Sequence, residues 1–111
     1  MAATDNAAEQ VAHIAEKIRA GKTTLGIEFG STRIKAVLID DNFQTIASGD
    51  YRWASHLEDG LWSYTTEEIC GGLQSAYASM ANDVETAYGE KLTHVGHIGF
   101  SAMMHGYLAF D

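Results

Sequence analysis

The sequence predicts a mixed α/β fold: an amphipathic helix, three antiparallel strands, a crossover helix, and further strands. Three observations predict it. Short apolar blocks run from Thr24 to Trp53, broken only by small or polar turn residues. A helical period then takes over, with Ile69, Leu73, Tyr77, Met80 and Val84 along one face. After it an apolar block returns at Val95–Ser101, so a strand follows the helix.

Each element has a local reason. In residues 1–22, Ala7, Val11, Ile14 and Ile18 recur at helical spacing, Asp5 or Asn6 can cap, and Gly21 can stop the helix. This segment is expected to be an N-terminal helical extension packed on its own protein. Strands are expected at Thr24–Phe29, Arg33–Asp40 and Gln44–Trp53. Their links, Gly30-Ser31-Thr32 and Asp41-Asn42, are short enough to make both pairs antiparallel hairpins. Ala54–Tyr64 carries His56, Asp59, Gly60 and Trp62 without a period and reads as a loop. Thr65 with Glu68 three residues on gives a capping box for a helix ending near Gly89, although Gly71-Gly72 weakens its first turns. A last strand is expected to begin at Tyr107–Phe110, after the corner Met103-Met104-His105-Gly106. Because the chain ends at Asp111 inside that signal, residues 23–111 are read as part of a larger domain.

Composition narrows the function. With 111 residues and 46% hydrophobic content, the chain holds at most one packed domain. A net charge of −8 argues against a nucleic-acid groove, which needs clustered Lys and Arg. It does not exclude a nucleotide held by backbone N–H groups and a metal ion. The single cysteine, Cys70, leaves no disulfide and fits a reducing compartment. No apolar run is long enough to span a membrane, and the N-terminus lacks the pattern of a secretory signal. A cytoplasmic protein without nucleic-acid or membrane partners is expected.

The stretch Leu25–Asp40, LGIEFGSTRIKAVLID, carries the chemistry. A turn of small residues lets backbone N–H groups approach phosphate oxygens, Ser31 and Thr32 add hydroxyl donors, and Arg33 or Lys35 adds charge. Glu28, ending an otherwise apolar strand, would be costly if buried without a partner, and a magnesium ion would give it one. Alternatively Glu28 faces solvent or pairs with Arg33 or Lys35. Gly21-Lys22-Thr23 is not a P-loop: Glu16 stands where the first glycine belongs, and the tripeptide follows a helix and opens a strand. His94 and His97, three apart on one strand, would point to opposite faces. His13 and His56 read as surface residues, Trp53 and Trp62 as packing residues, and Cys70 as inert core.

Three antiparallel strands with a helix crossover to a fourth resemble half of a ribonuclease-H-like domain, the repeated unit of the actin and sugar-kinase superfamily. Gly26–Asp40 resembles the first phosphate motif of the FGGY carbohydrate kinases. Ile98–Asp111, IGFSAMMHGYLAFD, resembles a second landmark, which the xylulokinase branch writes as a strand ending in Gly-Gln-Met-His-Gly. Gly60–Ser63, between the two, fits that branch as well.

The resemblance covers about residues 24–111 and implies the N-terminal portion of a two-domain kinase using ATP and Mg²⁺. The substrate would be a small sugar, a ketopentose such as D-xylulose, which becomes the 5-phosphate. A ribulokinase or glycerol-kinase relative, or a non-catalytic nucleotide-binding module, is the alternative. By the resemblance, Gly30, Ser31 and Thr32 meet the terminal phosphates, Arg33 and Lys35 reach phosphate from beside them, and Glu28 stands for an aspartate that helps to hold magnesium. Met104 and His105 match the pair that contacts the sugar, while Ala102 and Met103 replace Gly-Gln and alter the pocket wall. The catalytic base is expected beyond Asp111, so this portion alone should be inactive. Its uncovered strand edges should make it a homo-oligomer or a self-associating fragment.

Overall fold

A computed structural model describes residues 2–102; the strand expected at Tyr107–Phe110 lies outside them. The elements are α1 (Ala2–Ala20), β1 (Thr23–Phe29), β2 (Arg33–Asp40), β3 (Thr45–Arg52), β4 (His56–Glu58), β5 (Leu61–Ser63), α2 (Thr66–Tyr88) and β6 (His97–Ala102). Four strands form one sheet in the order β3-β2-β1-β6, antiparallel at both hairpins and parallel between β1 and β6. This is a small α/β fold with a mixed sheet.

The hairpin meander and the crossover helix stand where the residues place them. Thr65 Oγ1 accepts from the Glu68 N–H at 3.1 Å, and Gly89 closes α2 in the left-handed region at φ 68°. The other half of the capping box is not made, because the Glu68 carboxylate bonds His56 Nε2 at 2.9 Å instead. Gly21, at φ 72°, ends α1 with a 3.0 Å bond from the Lys22 N–H to the Lys17 carbonyl.

Several expectations are corrected. Ala54–Tyr64 is not a plain loop: β4 and β5 pair as a short antiparallel hairpin, too brief to show a period. Asp5 and Asn6 lie inside α1 rather than capping it, since the helix begins at Ala2. The strand expected at Val95–Ser101 starts at His97, so His94 precedes it and packs beside Gly21. Cys70 is exposed, because the seam of α2 that meets the sheet is Gly72, Ala76, Met80 and Val84.

That seam makes the core. It lies on Ile34, Ala36 and Leu38 of β2 and on Ala47, Gly49 and Tyr51 of β3, with Leu25 and Ile27 of β1 buried alongside. On the same face of β6, Ile98 and Phe100 stay 56% and 68% exposed, because α2 packs over β2 and β3 and does not reach the β6 end of the sheet. The β6 edge therefore ends in apolar surface among the described residues.

An ion cluster, buried at Lys17 and Asp40 and half-exposed at Asp41, fastens α1 to the β2–β3 turn. Asp40 Oδ1 accepts from the N–H groups of Asn42 and Gln44, both at 2.9 Å, which fixes the turn. Lys17 Nζ lies 3.3 Å from Asp40 Oδ2 and 2.8 Å from Asp41 Oδ1. The Gln44 and Asn42 N–H groups, with Lys17, hold the Asp40 carboxyl below its ordinary 3.8, against the opposing effect of burial. The bond to Asp41 leads in raising the Lys17 ammonium above 10.5. A depressed carboxyl loses its stabilising effect as pH falls from its ordinary value through its folded one, and a raised ammonium loses its own as pH rises from its ordinary value through its folded one. In urea unfolding, Asp40→Asn should be less stable than the native chain by a constant gap from about pH 5 to pH 10. The gap should close as acid takes the pH below 3.8. A gap that persists undiminished at about pH 2 would show that charge is not what Asp40 contributes.

Candidate functional site

The Gly30-Ser31-Thr32 turn joins β1 to β2, with Gly30 N–H donating to the Arg33 carbonyl at 2.9 Å. A Cβ on Gly30 would lie 3.1 Å from the Arg33 oxygen and 3.7 Å from Glu28 Oε1. Glycine thus keeps the turn tight, and the Glu28 carboxylate lies beside it. Ser31 and Thr32 are exposed.

The carbonyls of the turn are tied down from one side. Trp53 Nε1 donates to the Gly30 oxygen at 2.8 Å, the Tyr64 hydroxyl to the Ser31 oxygen at 2.6 Å, and the Trp53 N–H to the Thr32 oxygen at 3.0 Å. The two rings pack with centroids 4.3 Å apart. Peptide bonds are trans throughout the described residues, so each N–H points away from its carbonyl partner. The Ser31 and Thr32 N–H groups accordingly face away from the aromatic pair, in residues that are themselves exposed.

Charge surrounds this turn on the sheet face opposite α2. Glu28 and Lys35 are cross-strand partners there. Glu28 is exposed, which removes burial as a reason for it to need a metal. Nor does it pair with Arg33 or Lys35 within 4.0 Å among the described residues: Arg33 contacts Asp50 at 3.6 Å, a half-exposed pair of little energetic consequence. What remains is an exposed carboxylate with no ion pair among the described residues, beside the exposed Ser31 and Thr32. A shallow groove of about 350 Å³ continues from it along the same face, over Gly26 and Gly99 and past Val37 and Ser101.

The structure brings together Glu28, Gly30, Ser31, Thr32, Arg33 and Lys35. Met104 and His105 lie outside the described residues. Ala102 is the register partner of Phe29, so β1 and β6 end side by side at this turn. Trp53 packs as expected, but its bonds to the turn and those of Tyr64 were not legible in the pattern. The available signal was the hairpin register, which sets Trp53 opposite Thr32 once Arg33 faces Arg52. Trp62, read as a packing residue, is instead 73% exposed, in the middle of β5 opposite Leu57 of a hairpin too short to cover it.

The donor set is one exposed carboxylate, Glu28, beside the exposed Ser31, Thr32 and Arg33. Among the described residues no group of three or more His, Cys, Asp or Glu is placed to hold a metal. Magnesium commonly keeps most of its waters and takes one or two carboxylates together with substrate phosphates, so a lone carboxylate such as Glu28 could hold it only together with a phosphate ligand. No described helix is long and apolar enough to cross a membrane. No family model and no curated protein matches the chain.

Proposed function

We propose that this chain supplies the phosphate-binding part of an ATP-dependent carbohydrate kinase of the FGGY type, acting on a ketopentose such as D-xylulose. One observation carries the reading: an exposed turn of small residues, with the Glu28 carboxylate beside it, at the adjoining ends of the parallel strands β1 and β6. Open α/β sheets bind ligands at the carboxyl ends of such strands. The strand order β3-β2-β1-β6, with an α2 crossover, supports the ribonuclease-H-like resemblance.

In this reading Ser31 and Thr32 donate N–H and hydroxyl hydrogen bonds to terminal phosphate oxygens, and Arg33 and Lys35 add positive charge at the rim. Glu28 would hold the hydrated magnesium ion that accompanies the nucleotide. Bound MgATP supplies the phosphoryl group and neutralises its charge. Met104 and His105 hold the sugar, and a base outside these residues takes the hydroxyl proton. The exposed apolar edge at Ile98 and Phe100 is where self-association would occur.

Calorimetry with magnesium and inorganic tripolyphosphate, and coupled ADP release over a panel of pentuloses, test the proposal. The 111-residue chain should bind the polyphosphate and show no sugar-dependent turnover. Absence of binding would overturn the phosphate reading. Sugar-dependent turnover would overturn the placement of the base outside the chain.

A further inference from the structure

We infer that Tyr64 and Trp53 are positioning residues for the anion-binding turn, and this rests on the phosphate reading above. A peptide turn presents both N–H and C=O dipoles, and only the former attract an anion. If the Gly30 or Ser31 peptide rotates, a carbonyl oxygen replaces a donor at the site and repels phosphate. The aromatic pair prevents this by accepting the role of donor to three successive carbonyls: Trp53 Nε1 to Gly30, Tyr64 hydroxyl to Ser31, and the Trp53 N–H to Thr32. The planar trans peptides convert that into fixed N–H directions on the opposite side. Preorganised donors of this kind bind developing or existing negative charge without having to reorient first.

The brace is itself held. Trp53 is 7% exposed, at the end of β3, and its ring packs on Tyr64 at 4.3 Å. Tyr64 directly precedes Thr65, the N-cap of α2. The turn is thereby referenced to α2 as well as to the sheet, through a hydroxyl that no core packing requires. That makes Tyr64 separable from the fold: Tyr64→Phe keeps the ring and its contact with Trp53, and removes only the donor to Ser31.

The test uses the whole chain carrying Trp62→Phe, so that Trp53 is the single indole. Tripolyphosphate is titrated in with and without magnesium, affinity is read by calorimetry, and Trp53 emission reports occupancy of the turn above it. Adding Tyr64→Phe should weaken polyphosphate binding roughly two- to tenfold, the range for one lost neutral hydrogen bond, while the melting temperature stays nearly unchanged. Equal affinity with and without the Tyr64 hydroxyl overturns the brace and leaves the phosphate reading standing. Affinity that falls only in step with the melting temperature overturns it too, because that is the mark of a structural role. If the Trp62→Phe chain binds no polyphosphate at all, the phosphate reading fails and the brace with it.

Discussion

Gly49→Ala should lower the free energy of unfolding by about 1–3 kcal/mol, the usual cost of overpacking a tight contact. That is a large fraction of the roughly 5–15 kcal/mol that holds a small domain together. The cause is the approach of α2 to β3. A Cβ on Gly49 would lie 2.5 Å from both the Ala76 carbonyl oxygen and the Met80 nitrogen, and 2.8 Å from Ser79 Cβ. Two of these neighbours are helix backbone, so no side-chain rotation relieves the collision and the whole helix must lift. Lifting it opens the packing around Ala76 and Met80, both fully buried. Gly72 provides the comparison. Its added Cβ would meet the Tyr51 ring at 2.7 Å and Ile34 Cδ1 at 2.8 Å, which are side-chain ends that can shift, so Gly72→Ala should cost less. At Gly99 nothing lies within 4 Å and Gly99→Ala should be neutral within about 0.5 kcal/mol. Urea unfolding of the three variants gives the order; Gly49→Ala equal to Gly99→Ala would mean that α2 does not lie against β3 as described.

The same seam shows why some of the fold was legible and some was not. Arg33–Asp40 and the Thr65 and Gly89 caps are visible because turn glycines and capping hydroxyls act locally. The line of large apolar residues along α2 marked the right side of the helix, but Ile69, Leu73 and Tyr77 only flank the contact. Its centre is Gly72 and Ala76, whose virtue is lack of bulk, and hydrophobic periodicity does not register small residues. Reading Gly71-Gly72 as a weakness missed that the second glycine admits Tyr51 and Ile34. The β4–β5 hairpin and the Lys17–Asp40–Asp41 cluster were hidden for different reasons. One is three residues to a strand, and the other joins positions 23 apart that no local pattern connects. Of the candidate site, the turn and its charges were legible because they are contiguous. The Trp53–Tyr64 brace was not, because it depends on register and on where a loop returns.

Glu28→Gln is the decisive substitution for the proposed chemistry. Glu28 is exposed, and no ion pair within 4.0 Å engages it among the described residues, so folding does not depend on its charge. The melting temperature of Glu28→Gln should therefore match that of the native chain. The glutamine keeps the shape and the hydrogen-bonding reach of the side chain and removes the charge that draws a hydrated cation to the phosphates. In the 111-residue chain, magnesium should raise the affinity for tripolyphosphate in the native protein and much less in Glu28→Gln, while binding without magnesium stays equal or improves as repulsion is lost. In a kinase containing this chain, kcat should fall by about a hundredfold or more, the scale seen when a group stabilising transition-state charge is removed. Glu28→Asp restores the carboxylate on a shorter arm and should keep the magnesium effect at a shifted midpoint. A surface carboxylate with no ligand predicts otherwise, with both variants within about 0–1 kcal/mol of the native stability and an unaltered response to magnesium. Since stability is expected to be flat in either case, the magnesium dependence of polyphosphate binding decides between them: an identical magnesium effect in the native chain and in Glu28→Gln removes Glu28 from the site.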